Sequence, residues 1–396
     1  MDRSDSEKTD VLPMFKQEYG RYGRQMLVPE FGISGQLDLR SKRILVVGAG
    51  GLGSPAIQYL AGAGIGHITI IDDDTVEESN LHRQTIHAGN VNVPKAESAA
   101  EFVGKLNPCI SVTPMVVRLS PSNSFSVFEG HDLVLDCTDG PAVRYLINDT
   151  AVLSGIPVVS ASALKTEGQL SIYNYNGGPC YRCLFPIPPP ADAVQTCGDG
   201  GIMGPVVGMM GMSQAMEAIK LLTGVYSESF TPFLMLYSAY NFPPWKSVKV
   251  RKRQKTCAAC GDVPRISRQL IETGQVDYSE FCGSPSQVLL GEEHRITPEE
   301  YSKIVSTKHI LLDVRERPQF DITSFPRSIN IPWSELKHKE ELDVQVGGSP
   351  VYVVCRYGND SQNAVDKLQK LGIPSKDIKG GLYAWAKNVD EKFPIY

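Results

Sequence analysis

Apolar residues along the chain fall in short β-branched runs, each followed by a polar turn and a stretch of helical periodicity. The first run, Arg43-Ile44-Leu45-Val46-Val47, leads straight into Gly48-Ala49-Gly50-Gly51-Leu52-Gly53, after which Pro55 to Ala63 reads as a helix. A second run, Ile68 to Ile71, ends in Asp72-Asp73-Asp74, and Leu133–Leu135 and Val158–Val159 are further buried-strand candidates. Apolar strands alternating with helices predict a parallel α/β sheet. The pattern lapses from Val263 to Glu293, which is polar, weakly periodic and punctuated by Gly274, Gly283, Pro285 and Gly291. That stretch predicts a linker. Beyond it, Ile310–Asp313 and Val351–Val354 read as strands and Asp360 to Leu371 as a helix. The expected organisation is therefore a domain over 1–262, a linker over 263–293 and a smaller α/β domain over 294–396.

Composition narrows the function classes. The 39 Lys+Arg against 44 Asp+Glu leave a net charge of -5, so no global basic field draws in nucleic acid, and no direct nucleic-acid role is expected. The longest apolar stretch, Ile202 to Met212, is broken by Gly204, Pro205, Gly208 and Gly211 and falls short of the ~18 to 20 residues that span a bilayer. The first residues, Met1-Asp2-Arg3-Ser4-Asp5, lack the basic-then-apolar order of a signal peptide. A soluble, cytoplasmic protein without a membrane role is the expectation. The 9 cysteines, an odd number, then read as metal ligands or reactive thiols rather than a disulfide framework.

A glycine loop at a strand-to-helix turn offers backbone N–H groups and a helix dipole to phosphate. The acidic cluster Asp72-Asp73-Asp74 comes about twenty residues later, where a carboxylate receives ribose hydroxyls. These two features fit a dinucleotide-dependent dehydrogenase equally well. A more specific signal lies in Asp74-Thr75-Val76-Glu77-Glu78-Ser79-Asn80-Leu81-His82-Arg83-Gln84, with Lys95, the amino-terminal Arg21-Tyr22-Gly23-Arg24-Gln25, Leu135-Asp136-Cys137-Thr138-Asp139 and Glu167-Gly168-Gln169. Over roughly 15–262 this combination resembles the ThiF/MoeB family of adenylyltransferases, relatives of ubiquitin-activating enzymes. The resemblance implies that Gly51 lies under the nucleotide and that Asp72 receives the ribose. It further implies that Ser79, Asn80, Leu81, His82 and Arg83 flank the phosphates, and that Lys95 and Arg83 neutralise phosphate charge. Asp139 would work with Mg²⁺ near the α-phosphate, and Arg24 would reach across a homodimer. Family members often carry Asn after that Asp; here Gly140 stands in its place, so any contact at this position comes from its backbone.

Cys180-Tyr181-Arg182-Cys183 and Cys257-Ala258-Ala259-Cys260 are two C-x-x-C knuckles, and four thiolates in pairs suit a structural, tetrahedral Zn²⁺. Cys355 comes directly after an apolar run and opens Cys355-Arg356-Tyr357-Gly358-Asn359-Asp360-Ser361, a loop whose N–H groups can converge on sulfur and stabilise a thiolate or persulfide. A phosphatase on the same turn needs Cys-x5-Arg, and Ser361 stands at the arginine position. With Leu312-Asp313-Val314-Arg315-Glu316 and Gly380-Gly381-Leu382-Tyr383-Ala384-Trp385, the loop resembles a rhodanese domain over 294–396. Cys197 sits in Gln195-Thr196-Cys197-Gly198-Asp199, after the proline-rich Pro186–Pro190; the family resemblance implies a cysteine there that forms a thioester.

The expected fold is thus a Rossmann-like adenylation domain with a mostly parallel sheet and a four-cysteine zinc site, joined to a smaller α/β rhodanese domain. The pairing implies ATP, Mg²⁺ and Zn²⁺ as cofactors and, as substrate, the carboxy-terminal glycine of a ubiquitin-like sulfur carrier. The ubiquitin-related modifier and the small subunit of molybdopterin synthase are the implied carriers. A cysteine desulfurase or another sulfurtransferase would load sulfur on Cys355, and the thiocarboxylate product would serve tRNA wobble-uridine 2-thiolation, molybdenum cofactor synthesis and protein modification by the ubiquitin-related modifier. Two other readings remain open: a conjugation enzyme that stops at a Cys197 thioester and uses the rhodanese domain for docking, and a nucleotide-regulated scaffold without turnover.

Overall fold

A computed structural model describes residues 12–189, 200–226, 230–282, 290–341 and 347–396. The chain divides into two compact units, Met1–Ser284 and Pro285–Tyr396.

In the first unit the strands are β1 (Arg43–Val47), β2 (His67–Ile71), β3 (Ser111–Met115), β4 (Leu133–Asp136), β5 (Val158–Leu164), β6 (Glu167–Tyr173), β7 (Phe233–Ser238) and β8 (Trp245–Lys249). They form one sheet in the order β3-β2-β1-β4-β5-β6-β7-β8. The β3-to-β5 half is parallel, and β6, β7 and β8 extend it antiparallel. The central strands are apolar at successive positions because both faces are covered. In β1, Ile44 and Val46 join one core, while Leu45 and Val47 join the core on the opposite face. Helices Gly53–Ala63, Lys95–Leu106 and Gly204–Leu222 supply the first core, and Ser124–Phe128 and Pro141–Ser154 supply the second.

The stretch expected to be a linker differs in its first part. Residues 263–282 carry two short helices, Arg268–Glu272 and Tyr278–Cys282, and Ile266, Ile271, Tyr278 and Cys282 are buried in the second core. The Tyr278 hydroxyl donates to Asp149 Oδ2 at 3.1 Å. Two five-residue helices need only one or two apolar anchors each, so their composition looks like that of a linker.

The second unit is a five-stranded sheet in the order β11-β10-β12-β13-β9, parallel throughout. Its strands are β9 (Arg295–Ile296), β10 (Ile310–Asp313), β11 (Ile329–Asn330), β12 (Val351–Val354) and β13 (Ser375–Ile378). Among the described residues, no helix is long and apolar enough to cross a membrane.

Candidate active site

In the first unit the strand order reverses between β1 and β4, and the loops after β1, β2 and β4 share the carboxyl edge of the sheet there. Open α/β sheets bind ligands at such a crevice. The loop after β1 opens the Gly53–Ala63 helix, so the positive end of the helix dipole lies at the crevice. Gly51 is packed so closely that a Cβ would stand 3.1 Å from Val207 and 3.4 Å from the Arg83 chain. Asp72, just past β2, accepts the Ala49 N–H at 2.7 Å and the Asp74 N–H at 2.9 Å. Burial pushes its carboxyl pKa up, and those two N–H bonds pull it back.

The expected phosphate-flanking residues form a short turn, Glu78–Asn80, and the segment just after it. Arg83 Nη2 donates to Asn80 Oδ1 at 2.6 Å, and its Nη1 lies 2.7 Å from His82 Nε2. Burial and the Arg83 charge lower the His82 pKa, which leaves a neutral nitrogen to accept from Arg83. Ser79 is exposed, with its hydroxyl 3.3 Å from Glu77, and Leu81 is half-buried. Lys95, 6% exposed, starts the Lys95–Leu106 helix, with Nζ 2.7 Å from exposed Asp74. Arg24 is exposed in the last turn of the Lys16–Met26 helix.

Beyond β4 the motif splits into two different carboxylates. Asp136 is buried and accepts from Arg144 Nε at 2.8 Å, Ser160 Oγ at 2.6 Å and Thr138 Oγ1 at 2.6 Å. Asp139, three residues on, is exposed and makes no hydrogen bond or ion pair among the described residues. Gly140 then caps the Pro141–Ser154 helix. Arg144, half-buried, also donates to the carbonyls of Thr138 and Ala161, so its pair with Asp136 fixes the loop that presents Asp139. Arg144 was not among the residues expected from sequence. No local spacing signals a partnership between a strand end and the first turns of the next helix.

The two knuckles meet. Cys180 Sγ lies 3.6 Å from Cys257 Sγ and 3.9 Å from Cys183 Sγ, Cys183 Sγ lies 3.4 Å from Cys260 Sγ, and all four sulfurs fall within 4.8 Å of one another. A tetrahedron with Zn–S bonds of about 2.3 Å has S···S edges of about 3.8 Å, so the thiol set fits that ion. The intervening Arg182 is buried, paired with Asp149 through two 2.8 Å bonds and set 4.6 Å from the ring centroids of both Tyr145 and Phe281. The Tyr278–Cys282 helix therefore straps the knuckle to the Pro141–Ser154 helix.

In the second unit, Cys355 comes directly after β12 and is 3% exposed. Its sulfur accepts the Gly358 N–H at 3.1 Å and lies 3.4 Å from Ser361 Oγ. The convergence of donors expected from sequence is present, yet burial outweighs it and pushes the thiol pKa up. The Gly380-Gly381 turn holds the loop: a Cβ on Gly381, at φ +60, would stand 2.3 Å from the Cys355 carbonyl, which instead accepts the Leu382 N–H at 3.0 Å. Cys197 lies outside the described residues.

The profile described as ThiF family matches residues 22–259, and the one described as rhodanese-like domain matches residues 297–388. A protein of Meyerozyma guilliermondii named "Adenylyltransferase and sulfurtransferase UBA4" is 50% identical over 390 residues, covering 96% of this chain and 91% of its own. A protein of the same name from Ogataea parapolymorpha is 50% identical over 387 residues, covering 96% of this chain and 98% of its own. Among solved structures, E. coli MccB with MccA-N7isoASN is similar in fold, with a TM-score of 0.55 at 22% identity over 61% of this chain and 74% of that one. The chain belongs to the ThiF family, as an adenylyltransferase joined to a rhodanese-like sulfurtransferase domain.

Proposed function

We propose that the chain adenylates the carboxy-terminal glycine of a ubiquitin-like sulfur carrier and then converts it to a thiocarboxylate. The carrying observation is the pairing on one chain of a glycine loop, with Asp72 and the Arg83 chain against it at the carboxyl edge of β1, β2 and β4, with a thiol in a loop of backbone donors. In the first step a carrier carboxylate oxygen attacks the ATP α-phosphorus, the bond to the β-phosphate breaks, and pyrophosphate leaves. Gly51 would lie under the nucleotide, Asp72 would hold the ribose, and the segment from Ser79 to Arg83 would flank the phosphates together with Lys95. Negative charge grows on oxygens that these cations stabilise. Exposed Asp139 would hold Mg²⁺, which supplies Lewis-acid stabilisation there, and the Gly140 backbone would lie beside it. Arg24 would serve the partner site in a homodimer.

In the second step a Cys355 persulfide, loaded by a cysteine desulfurase or another sulfurtransferase, attacks the acyl-adenylate carbonyl and expels AMP. A thiol then reduces the resulting acyl disulfide, releasing the carrier thiocarboxylate. A Cys197 thioester can stand between the two steps. The product would supply sulfur for tRNA wobble-uridine thiolation or molybdenum cofactor synthesis, with the ubiquitin-related modifier and the small subunit of molybdopterin synthase as carriers. The full chain incubated with ATP, Mg²⁺, a carrier and a persulfide donor is expected to raise the carrier mass by about sixteen units, oxygen replaced by sulfur, as read by mass spectrometry. A carrier that forms adenylate but never gains this mass would favour the conjugation reading.

The four-cysteine cluster is assigned a structural Zn²⁺. Because metal-binding free energy is folding free energy at such sites, Cys257→Ser should abolish bound zinc. The melting temperature should fall by on the order of 10 °C, corresponding to a loss of several kcal/mol. Metal analysis beside calorimetry checks this, and an unchanged melting temperature would remove the metal assignment.

A further inference from the structure

A fully buried histidine behind the glycine loop has no part in the two steps of the proposed reaction. His87 closes the short turn Thr85–His87 and is 0% exposed. Its Nε2 lies 2.8 Å from the Ala49 carbonyl and its Nδ1 lies 2.9 Å from Ser98 Oγ. A carbonyl only accepts, so Nε2 carries the hydrogen. Burial lowers the His87 pKa, so the ring is neutral and Nδ1 accepts from the Ser98 hydroxyl. Ser98 Oγ in turn accepts from Asn90 Nδ2 at 3.0 Å, and Asn90 Nδ2 also donates to Glu101 Oε2 at 3.0 Å. This network sets both the tautomer and the plane of the ring.

The consequence falls on two peptide units. The Gly48–Ala49 peptide is clamped by its N–H, which donates to Asp72 at 2.7 Å. The Ala49–Gly50 peptide is clamped by its C=O, which accepts from His87 at 2.8 Å. A trans peptide is planar, with C=O and N–H on opposite sides. Drawing the Ala49 carbonyl back onto His87 therefore turns the Gly50 N–H away from it. The Gly50 carbonyl then accepts the Ser54 N–H at 2.8 Å, which carries this orientation into the first turn of the Gly53–Ala63 helix.

We propose that His87 is a positioning residue for the nucleotide: it acts through the Ala49 carbonyl to aim the Gly50 N–H at a phosphate oxygen of ATP. The inference rests on the nucleotide reading of the glycine loop. Without the imidazole the Ala49–Gly50 peptide is free to rotate, and a donor that was preset must be ordered at each binding event.

The test uses the full chain with ATP and Mg²⁺, reading ATP affinity by calorimetry, pyrophosphate exchange with a carrier, and melting temperature. His87→Leu keeps the volume but loses the donor. It should raise the KM for ATP roughly ten-fold, the size expected for one lost preset hydrogen bond, while the KM for the carrier holds. His87→Gln, whose amide nitrogen reaches the same carbonyl, should return the ATP KM to within about three-fold of wild type. Ser98→Ala, which leaves the ring but removes its anchor, should weaken ATP binding in the same direction and serves as the test if His87→Leu does not fold. An ATP KM unchanged in His87→Leu, or in Ser98→Ala when that variant is the one measured, overturns the proposal. So does His87→Gln binding ATP no better than His87→Leu, or equal losses in the ATP and carrier KM that track the melting temperature. If the wild type binds no ATP, the nucleotide reading itself falls and takes this inference with it.

Discussion

Cys355→Ser is expected to leave adenylate formation at the wild-type rate while thiocarboxylate falls to background. On the proposed reading, adenylation uses the loops after β1, β2 and β4, which lie in the first unit, whereas Cys355 lies in the second. Serine fits the site, since its smaller oxygen can still accept the Gly358 N–H that now reaches sulfur at 3.1 Å, so the loop should hold its shape. An alkoxyl oxygen cannot carry a transferable sulfane sulfur. Pyrophosphate exchange and carrier mass, measured on the same preparation, separate the two steps. Because burial holds the Cys355 thiol pKa up, wild-type sulfur loading should also quicken as pH rises above neutrality, where the thiolate fraction grows. Wild-type thiocarboxylate yield from Cys355→Ser, with a persulfide donor and no free sulfide, would leave the rhodanese domain as a docking module.

Asp139→Ala is expected to cut pyrophosphate exchange by at least about a hundred-fold with an unchanged melting temperature. Asp139 is exposed and unpaired among the described residues, so its removal opens no cavity and strands no partner; the loss falls on the metal-assisted step. Asp136→Ala is the contrast. It leaves Arg144, which pairs with Asp136 at 2.8 Å and is itself half-buried, without its carboxylate, and breaking such a pair costs up to about 3 kcal/mol. That variant should lose stability first and activity as a result. Equal melting temperatures for the two variants would contradict the division of labour between the two carboxylates, and normal exchange in Asp139→Ala would refute its role.

The chemistry at element ends was legible because it is local. A glycine loop directly after β1, a carboxylate directly after β2 and a thiol directly after β12 are adjacent in sequence to the apolar runs that predict those strands. Parallel strands bring their carboxyl ends to one edge. The two knuckles were legible as ligand pairs for the same reason, since three-residue spacing places both sulfurs of a knuckle on one turn. The residues that hold these groups were not legible. His87 reaches Ala49 across 38 positions, Arg182 reaches Asp149 across 33, and Tyr278 reaches Asp149 across 129. Nothing at either end of such a pair marks the other, because a buried polar residue reads the same in sequence whether it is an anchor or an orphan.

The linker shows the same limit from the other side. Residues 263–282 carry too few apolar positions to announce helices, and only packing against the rest of the second core makes Ile271, Tyr278 and Cys282 core residues. The alternation of strands and helices, the class of fold and the placement of the candidate groups at strand ends were therefore determined by the sequence itself, through periodicity and turn chemistry that act over a few residues. Tertiary structure alone decided which carboxylate of Leu135-Asp136-Cys137-Thr138-Asp139 is buried and which is exposed. It also decided that burial, not the converging N–H groups, dominates the Cys355 thiol, and that one imidazole holds the glycine loop. Desolvation and hydrogen-bond partnership depend on what the rest of the chain brings to a residue, and that is set only when the chain closes around it.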